Sequence, residues 1–244
     1  MRVKIRPLLF VFFAVCALGI TGCADFAEKK EPSLPVSKSG FYFDTYITIT
    51  LYALDEPTET HIARIFDDCF ALATACEGRF SRTLAGSDLW EINHALGKPT
   101  AVSPDTAKLL SSALAFAELT EGRVDPSIGA VSSLWDFHVE EGKEGVVPSE
   151  SAILEALTHV DYRKISVRFA EGAENETQDS TAQTSAEVTL ADPDMILDLG
   201  FIAKGYIADK MREVLLREGV SSAIINLGAN ILTVGEKTDG SPFQ

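Results

Sequence analysis

Basic residues are scarce in this sequence: 21 lysines and arginines stand against 36 aspartates and glutamates, a formal net charge of −15. A polyanion would be repelled before local contacts formed, which excludes nonspecific nucleic-acid binding, and any anionic ligand needs a local cluster of cations or backbone N–H groups. Cysteine is scarce too, with four in 244 residues and no cluster at metal-ligand spacing. Cys69 and Cys76 fall in one predicted helix, two turns and roughly 10 Å of axial rise apart, which is too far for a disulfide. They read as small core residues. The histidines, His61, His94, His138 and His159, show no metal-ligand pairing and no Ser-His-Asp arrangement. There is no Walker A loop, no dinucleotide glycine fingerprint and no repeat period.

What is present begins with an N-terminal signal. "MRVKIRP" carries Arg2, Lys4 and Arg6, and the apolar run from Leu8 to Leu18 is short for a membrane span and suited to a secretory signal core. It leads through "ITGC" to Cys23, a bacterial lipobox in which that cysteine is lipidated and becomes the first mature residue. Diacylglycerol plus an amide-linked chain anchors stably where a single acyl chain would not. Residues 1–22 are thus read as a lipoprotein signal peptide and 23–40, polar and proline-containing, as a tether. The protein is expected at the cell membrane, lipid-anchored on the extracytoplasmic side.

Residues 41–244 supply a domain-sized chain, 46% hydrophobic across the whole sequence. "FYFDTYITITLYAL" alternates as a strand, Thr58 to Phe80 repeats apolar residues at helical spacing, and Ser103-Pro104 opens a helix that Gly122 ends. A further helix is expected from Ser149 to about His159, and "KISVRF" and "EVTL" as a hairpin interrupted by the polar excursion 170–187. A short buried strand at Met195–Leu197, an amphipathic helix through Leu216 and two strand-like runs around Gly228 complete the pattern. Helices interleaved with hairpins predict an α+β fold, a single mixed α/β domain with one core.

Three stretches carry polar residues in suggestive places. In "ILDLGFIAKGYIAD", 196–209, Asp198 and a glycine-flanked Lys204 meet a helix start, where unpartnered N–H groups and the macrodipole favour phosphate. The same residues equally suit a plain strand-to-helix connection. "RVDPSIGAVSSLWDF", 123–137, offers Asp125-Pro126-Ser127 as a turn or helix cap and Gly129 for a close backbone approach. "GRFSRTLAGSDLWEINHA", 78–95, crowds Ser81, Arg82, Thr83, Ser87, Asp88 and Asn93 into one segment, with Arg82 either a phosphate partner or a solvated surface residue.

Taken in order, "FYFDTYITITLY", "FSRTLAGSDLWEINHA", "DPSIGAVSSLWDF", "DLGFIAKGYIAD" and "INLGANI" resemble the ApbE family, flavin transferases that attach FMN covalently to a target protein with FAD as donor. The resemblance implies an ApbE-like, T-fold-related domain covering about the first two-thirds of a typical family domain, so the chain is read as incomplete at its C-terminus. It implies FAD as substrate, Mg²⁺ as cofactor, and as partner an acceptor protein with a target threonine, either a membrane redox-complex subunit or an exported flavoprotein. By position it implies that Phe43, Thr83, Asp125, Pro126, Ser127, Asp198 and Lys204 bind FAD, with Lys204 and Asp198 catalytic, and that Phe201 gives its backbone carbonyl to Mg²⁺. Phe201, Ala229 and Asn230 depart from the commoner family residues. Two other functions stay open: a Mg²⁺-dependent FAD pyrophosphatase and a non-catalytic FAD-binding lipoprotein.

Overall fold

The computed structural model describes residues 34–135, 145, 147–170 and 186–244. The signal peptide, Cys23 and most of the expected tether lie outside these residues, as do Trp135's successors through residue 144 and the body of the polar excursion. Two antiparallel sheets frame the domain. The first has four strands in the order β1 (Val36–Tyr42), β2 (Thr45–Leu54), β6 (Val220–Leu227), β7 (Asn230–Val234), and the second has β3 (Thr100–Val102), β5 (Ala186–Leu190), β4 (Ile165–Phe169).

Helix α1 (Glu59–Phe80) shows why the sequence was readable here. Thr58 caps it by accepting the His61 N–H, Glu59 and Arg79 complement the macrodipole at the two ends, and residues at helical spacing from Ile62 to Phe80 are buried. A short helix α2 (Asp88–His94) follows, capped by Ser87. Helix α3 (Pro104–Leu119) has Ser103 as its cap and Pro104 in its first turn, and the Gly122 N–H closes it on the Ala117 carbonyl. After the one-turn α4 (Gly129–Ser132) come α5 (Glu150–Leu157), capped by Ser149, and finally α6 (Gly200–Arg217).

One core cluster joins residues of both sheets and of the helices packed on them. Ile47, Ile49 and Leu51 of β2 and Ala223, Ile225 and Leu227 of β6 turn one face of the larger sheet inward. Helix α6 packs on β6 and against α1, while α3 touches α6 on one side and β4 and β5 on the other. Cys69 and Cys76 are buried in α1 as free thiols.

Three expectations are corrected. The stretch 41–54 is not one strand: Phe43 and Asp44 both take left-handed backbone (φ 52° and 55°) and fold it into a β1–β2 hairpin, with Phe41 opposite Tyr46. The alternating pattern survives because it resumes on the paired strand. Residues 36–40, assigned to the tether, form most of β1, where Ser37 and Ser39 hydroxyls bond Thr50 and Thr48 across the pair. Met195 and Leu197 are buried, but residues 195–197 form only a single parallel bridge, Ile196 with Ile128. The reason is that the Asn93 side chain takes both backbone groups of Leu197, so no neighbouring strand is needed.

Candidate functional site

One cleft of about 460 Å³ gathers the ends of several elements. The β1–β2 turn brings Phe43 and Asp44, the last turn of α1 brings Glu77 and Phe80, and the loop after it brings Ser81 through Leu84. Opposite them stand Asp198 and the first residues of α6, including Gly200 and Lys204.

Asp198 is held on every side. Its own N–H donates to the Pro126 carbonyl (2.8 Å), one carboxylate oxygen accepts the Gly200 N–H (2.9 Å), and the other accepts the Ser132 hydroxyl (3.1 Å). This bond to Gly200 does the work of a cap for α6, since Leu199, in the cap position, has no side-chain hydrogen bond to offer. Arg82 approaches the same carboxylate to 3.6 Å and donates through Nη1 to Ser133 Oγ (2.9 Å) and Ser132 Oγ (3.2 Å). Lys204, one turn into α6, forms no ion pair among the described residues. The cleft therefore offers one uncommitted cation and one tied into a hydroxyl-rich network.

Phe80 forms the cleft wall with support from behind. Its ring meets Tyr206 edge-on at 5.6 Å, and the Tyr206 hydroxyl donates to Asp105 (3.1 Å), which also pairs with Arg79. Burial, then the adjacent Asp105, pushes the Tyr206 phenol well above its ordinary pKa, so it remains a donor.

Of the residues singled out from the sequence, Phe43, Thr83, Asp198 and Lys204 line this cleft together. Asp125, Pro126 and Ser127 do not line it. Asp125 accepts the Ser127 N–H (2.8 Å) and hydroxyl (2.6 Å) and the Tyr162 N–H (3.0 Å), while Ser127, fully buried, accepts the Asp161 N–H (2.9 Å). In this structure that turn is a bracket behind Asp198, joined to it through the Pro126 carbonyl. Gly129 follows because a Cβ there would sit 2.5 Å from the Ile196 carbonyl, so the close approach expected of it is met.

Phe201 is half-exposed and outside the cleft lining. As the second residue of α6, its carbonyl runs along the helical ladder, which leaves one lone pair for a metal. Asp198 contributes an oxygen of the type Mg²⁺ prefers. No third clustered side-chain ligand joins them: among the described residues the one such group is His159, Asp192 and Asp194, outside the cleft lining, with Lys164 already 3.4 Å from Asp192. The cleft lining thus offers Mg²⁺ single carboxylates but, among the described residues, no clustered ligand set.

Sequence reasoning passed over Glu77, Asp44 and Tyr206 and left Arg82 undecided. Glu77 and Tyr206 sit in helices whose apolar pattern explains their neighbours, so nothing in the spacing marks them. The Phe43–Asp44 turn lacks the Asn-Gly signature that would have revealed it.

The sequence profile of the ApbE family matches residues 43–244, which includes every element that lines the cleft. The chain belongs to the ApbE family. Among its relatives, a protein of Treponema pallidum named FAD:protein FMN transferase is 32% identical over 91% of this chain and 57% of its own length. A Klebsiella pneumoniae protein of the same name is 31% identical over 85% of this chain and 59% of its own. The ApbE fold is shared by the flavin transferase ApbE from Vibrio cholerae, with a TM-score of 0.70 at 22% identity over 87% of this chain and 63% of that one. The ApbE protein from Thermotoga maritima superposes with a TM-score of 0.67 at 26% identity, covering 85% and 61%. This ApbE chain spans about three-fifths of the length of these relatives.

Proposed function

We propose that the cleft takes FAD and that the protein transfers its FMN moiety to a threonine hydroxyl of an acceptor protein, releasing AMP. The observation that carries this reading is the joint placement of Phe43, an aromatic suited to a flavin ring, and two cations, Arg82 and Lys204, suited to a pyrophosphate, in one cleft. Family membership and the names of the relatives support it.

In this reading the threonine oxygen attacks the FMN-side phosphorus, a new P–O bond forms, and the bond to the AMP phosphate breaks. The hydroxyl proton leaves to solvent or base, and negative charge grows on the departing AMP oxygen. Lys204 stabilises that charge electrostatically, in a preorganised position on the rigid first turns of α6. Asp198 fixes the start of α6 and the Ser132 hydroxyl, and so aligns Lys204 with the phosphate. Arg82 gives a second cation on the opposite wall. Mg²⁺, when bound, would neutralise phosphate charge as a Lewis acid, with the Phe201 carbonyl and Asp198 as the residues of this chain to face it.

The test is incubation with FAD, Mg²⁺ and a peptide bearing an Asp-Gly-x-(Ser/Thr/Gly)-(Ala/Ser)-Thr sequence. An FMN-mass adduct on the peptide threonine with one AMP released per adduct is the expected result. AMP release that is unchanged by the peptide would point to a pyrophosphatase, and FAD bound without AMP release to a binding protein. Lipidation at Cys23, with a membrane-surface location on the extracytoplasmic side, belongs to the same proposal. Cys23→Ala should abolish palmitate labelling and move the protein out of the membrane fraction.

A further inference from the structure

The β1–β2 turn is backbone in an unusual state. Two-residue hairpin turns with left-handed backbone at both positions favour Asn-Gly, because a side chain at positive φ crowds its own carbonyl. Here the two positions are Phe43 (φ 52°) and Asp44 (φ 55°), one of them bulky, and both line the cleft. Strain of this kind persists only where the surroundings over-determine it.

The restraint is visible. The Phe43 N–H donates to Glu77 Oε1 at 2.7 Å, a contact between residues 34 apart in sequence. Hydrogen bonds to an ionised acceptor are among the stronger ones, and a part-buried setting reinforces this one. Glu77 also bears on the loop after α1: its backbone carbonyl accepts the Ser81 N–H (3.1 Å) and ends α1 just before Arg82 and Thr83. One residue thus fastens the turn that carries Phe43 and the loop that carries Arg82 and Thr83.

Its charge indicates which part of a ligand lies beside it. Glu77 has no ion-pair partner among the described residues, although it lines the cleft. Phosphate oxygens would be repelled there and drawn to Arg82 and Lys204, which leaves the uncharged ring system for the Phe43 side.

We propose that Glu77 is a positioning residue that holds the strained Phe43–Asp44 turn and thereby presents Phe43 to the flavin ring. This rests on the FAD reading above. Glutamine at 77 keeps an oxygen acceptor for the Phe43 N–H, alanine removes it, and glycine at 44 adopts positive φ without strain.

The experiment measures FAD affinity by flavin fluorescence, AMP affinity by calorimetry, and amide hydrogen exchange at Phe43 in the ligand-free protein, with thermal melts to verify folding. Glu77→Gln is expected to stay within about twofold of wild type, whereas Glu77→Ala loses FAD affinity by about tenfold with AMP affinity unchanged. Asp44→Gly should restore part of the loss in Glu77→Ala. In a Phe43→Ala background, Glu77→Ala should have no further effect. Equal losses for FAD and AMP, additive losses with Phe43→Ala, or no loss at all in Glu77→Ala would overturn the proposal. Phe43 exchange reports on the turn whether or not FAD binds: protection in wild type and Glu77→Gln that is lost in Glu77→Ala is expected, and equal protection in all three overturns the restraint. A wild-type protein that binds no FAD would overturn the functional reading, and with it the flavin part of this proposal, while leaving the exchange result to decide the hold on the turn.

Discussion

Asn93 and Leu197 pair as if they were neighbours in a sheet: the Leu197 N–H donates to Asn93 Oδ1 at 2.8 Å, and Asn93 Nδ2 donates to the Leu197 carbonyl at 3.0 Å. A side chain of α2 thereby satisfies the backbone immediately before Asp198. Leu197 is fully buried, so water has little access to replace the amide. Asn93→Ala would leave one donor and one acceptor unsatisfied, at about 1–3 kcal/mol each if fully desolvated, so a loss of about 2–4 kcal/mol is expected. Urea unfolding measures it. A loss under about 0.5 kcal/mol would mean that solvent or a backbone shift takes over both bonds.

Lys204 makes a contrasting prediction. With no ion pair to lose among the described residues, Lys204→Ala should leave the unfolding midpoint nearly unchanged while weakening FAD binding by about 10- to 100-fold, the worth of a charge-assisted phosphate contact. The affinity of the wild type should fall with added salt, and that of the variant should fall less steeply. Calorimetric titration at two salt concentrations checks both points. An unchanged affinity would make Lys204 an ordinary solvated lysine.

The contrast between these two residues shows what was legible in the sequence. Elements set by local rules were readable: the Thr58, Ser103 and Ser149 caps, the buried stripe of α1 and the β4–β5 pairing follow from spacing and capping chemistry. So was the grouping of Phe43, Thr83, Asp198 and Lys204, though it came through family resemblance and not through spacing. What was not legible depends on contacts distant in sequence. The Asn93 amide standing in for a strand is a 104-residue contact, and the Glu77 grip on Phe43 lets a turn form without turn residues. Asp125 and Ser127 are the converse case. Their residue types suit a ligand, but their hydrogen bonds are directed at Tyr162 and Asp161.

That assignment of Asp125 is testable. Its carboxylate accepts three hydrogen bonds, from the Ser127 N–H and hydroxyl and the Tyr162 N–H. Asp125→Ala should therefore act mainly on stability, with a loss of about 2–4 kcal/mol, and on FAD affinity only through the Pro126 contact to Asp198. Paired measurement of the urea midpoint and FAD affinity distinguishes the roles. A stable variant with binding weakened more than tenfold would instead place Asp125 in contact with the ligand.

The two buried thiols should contribute to a loss of stability at alkaline pH. Burial pushes Cys69 from 9.0 up to about 12 and Cys76 up to about 11. A thiol with a higher pKa folded than unfolded stays neutral in the native chain while the unfolded chain begins to ionise. Its contribution is complete below about pH 9 and is lost as pH rises toward the folded values. Between about pH 8 and pH 10.5, wild type should lose about 3–4 kcal/mol more than the Cys69→Ala/Cys76→Ala variant, at up to about 1.4 kcal/mol per pH unit for each thiol. Tyr206 adds a loss of the same sign; burial and Asp105, its two main causes, are present in both proteins, so most of it cancels, and the smaller part due to Cys76 goes with the thiol. Parallel pH profiles from urea unfolding would show that the thiols titrate alike in the folded and unfolded chains, against the raised folded values.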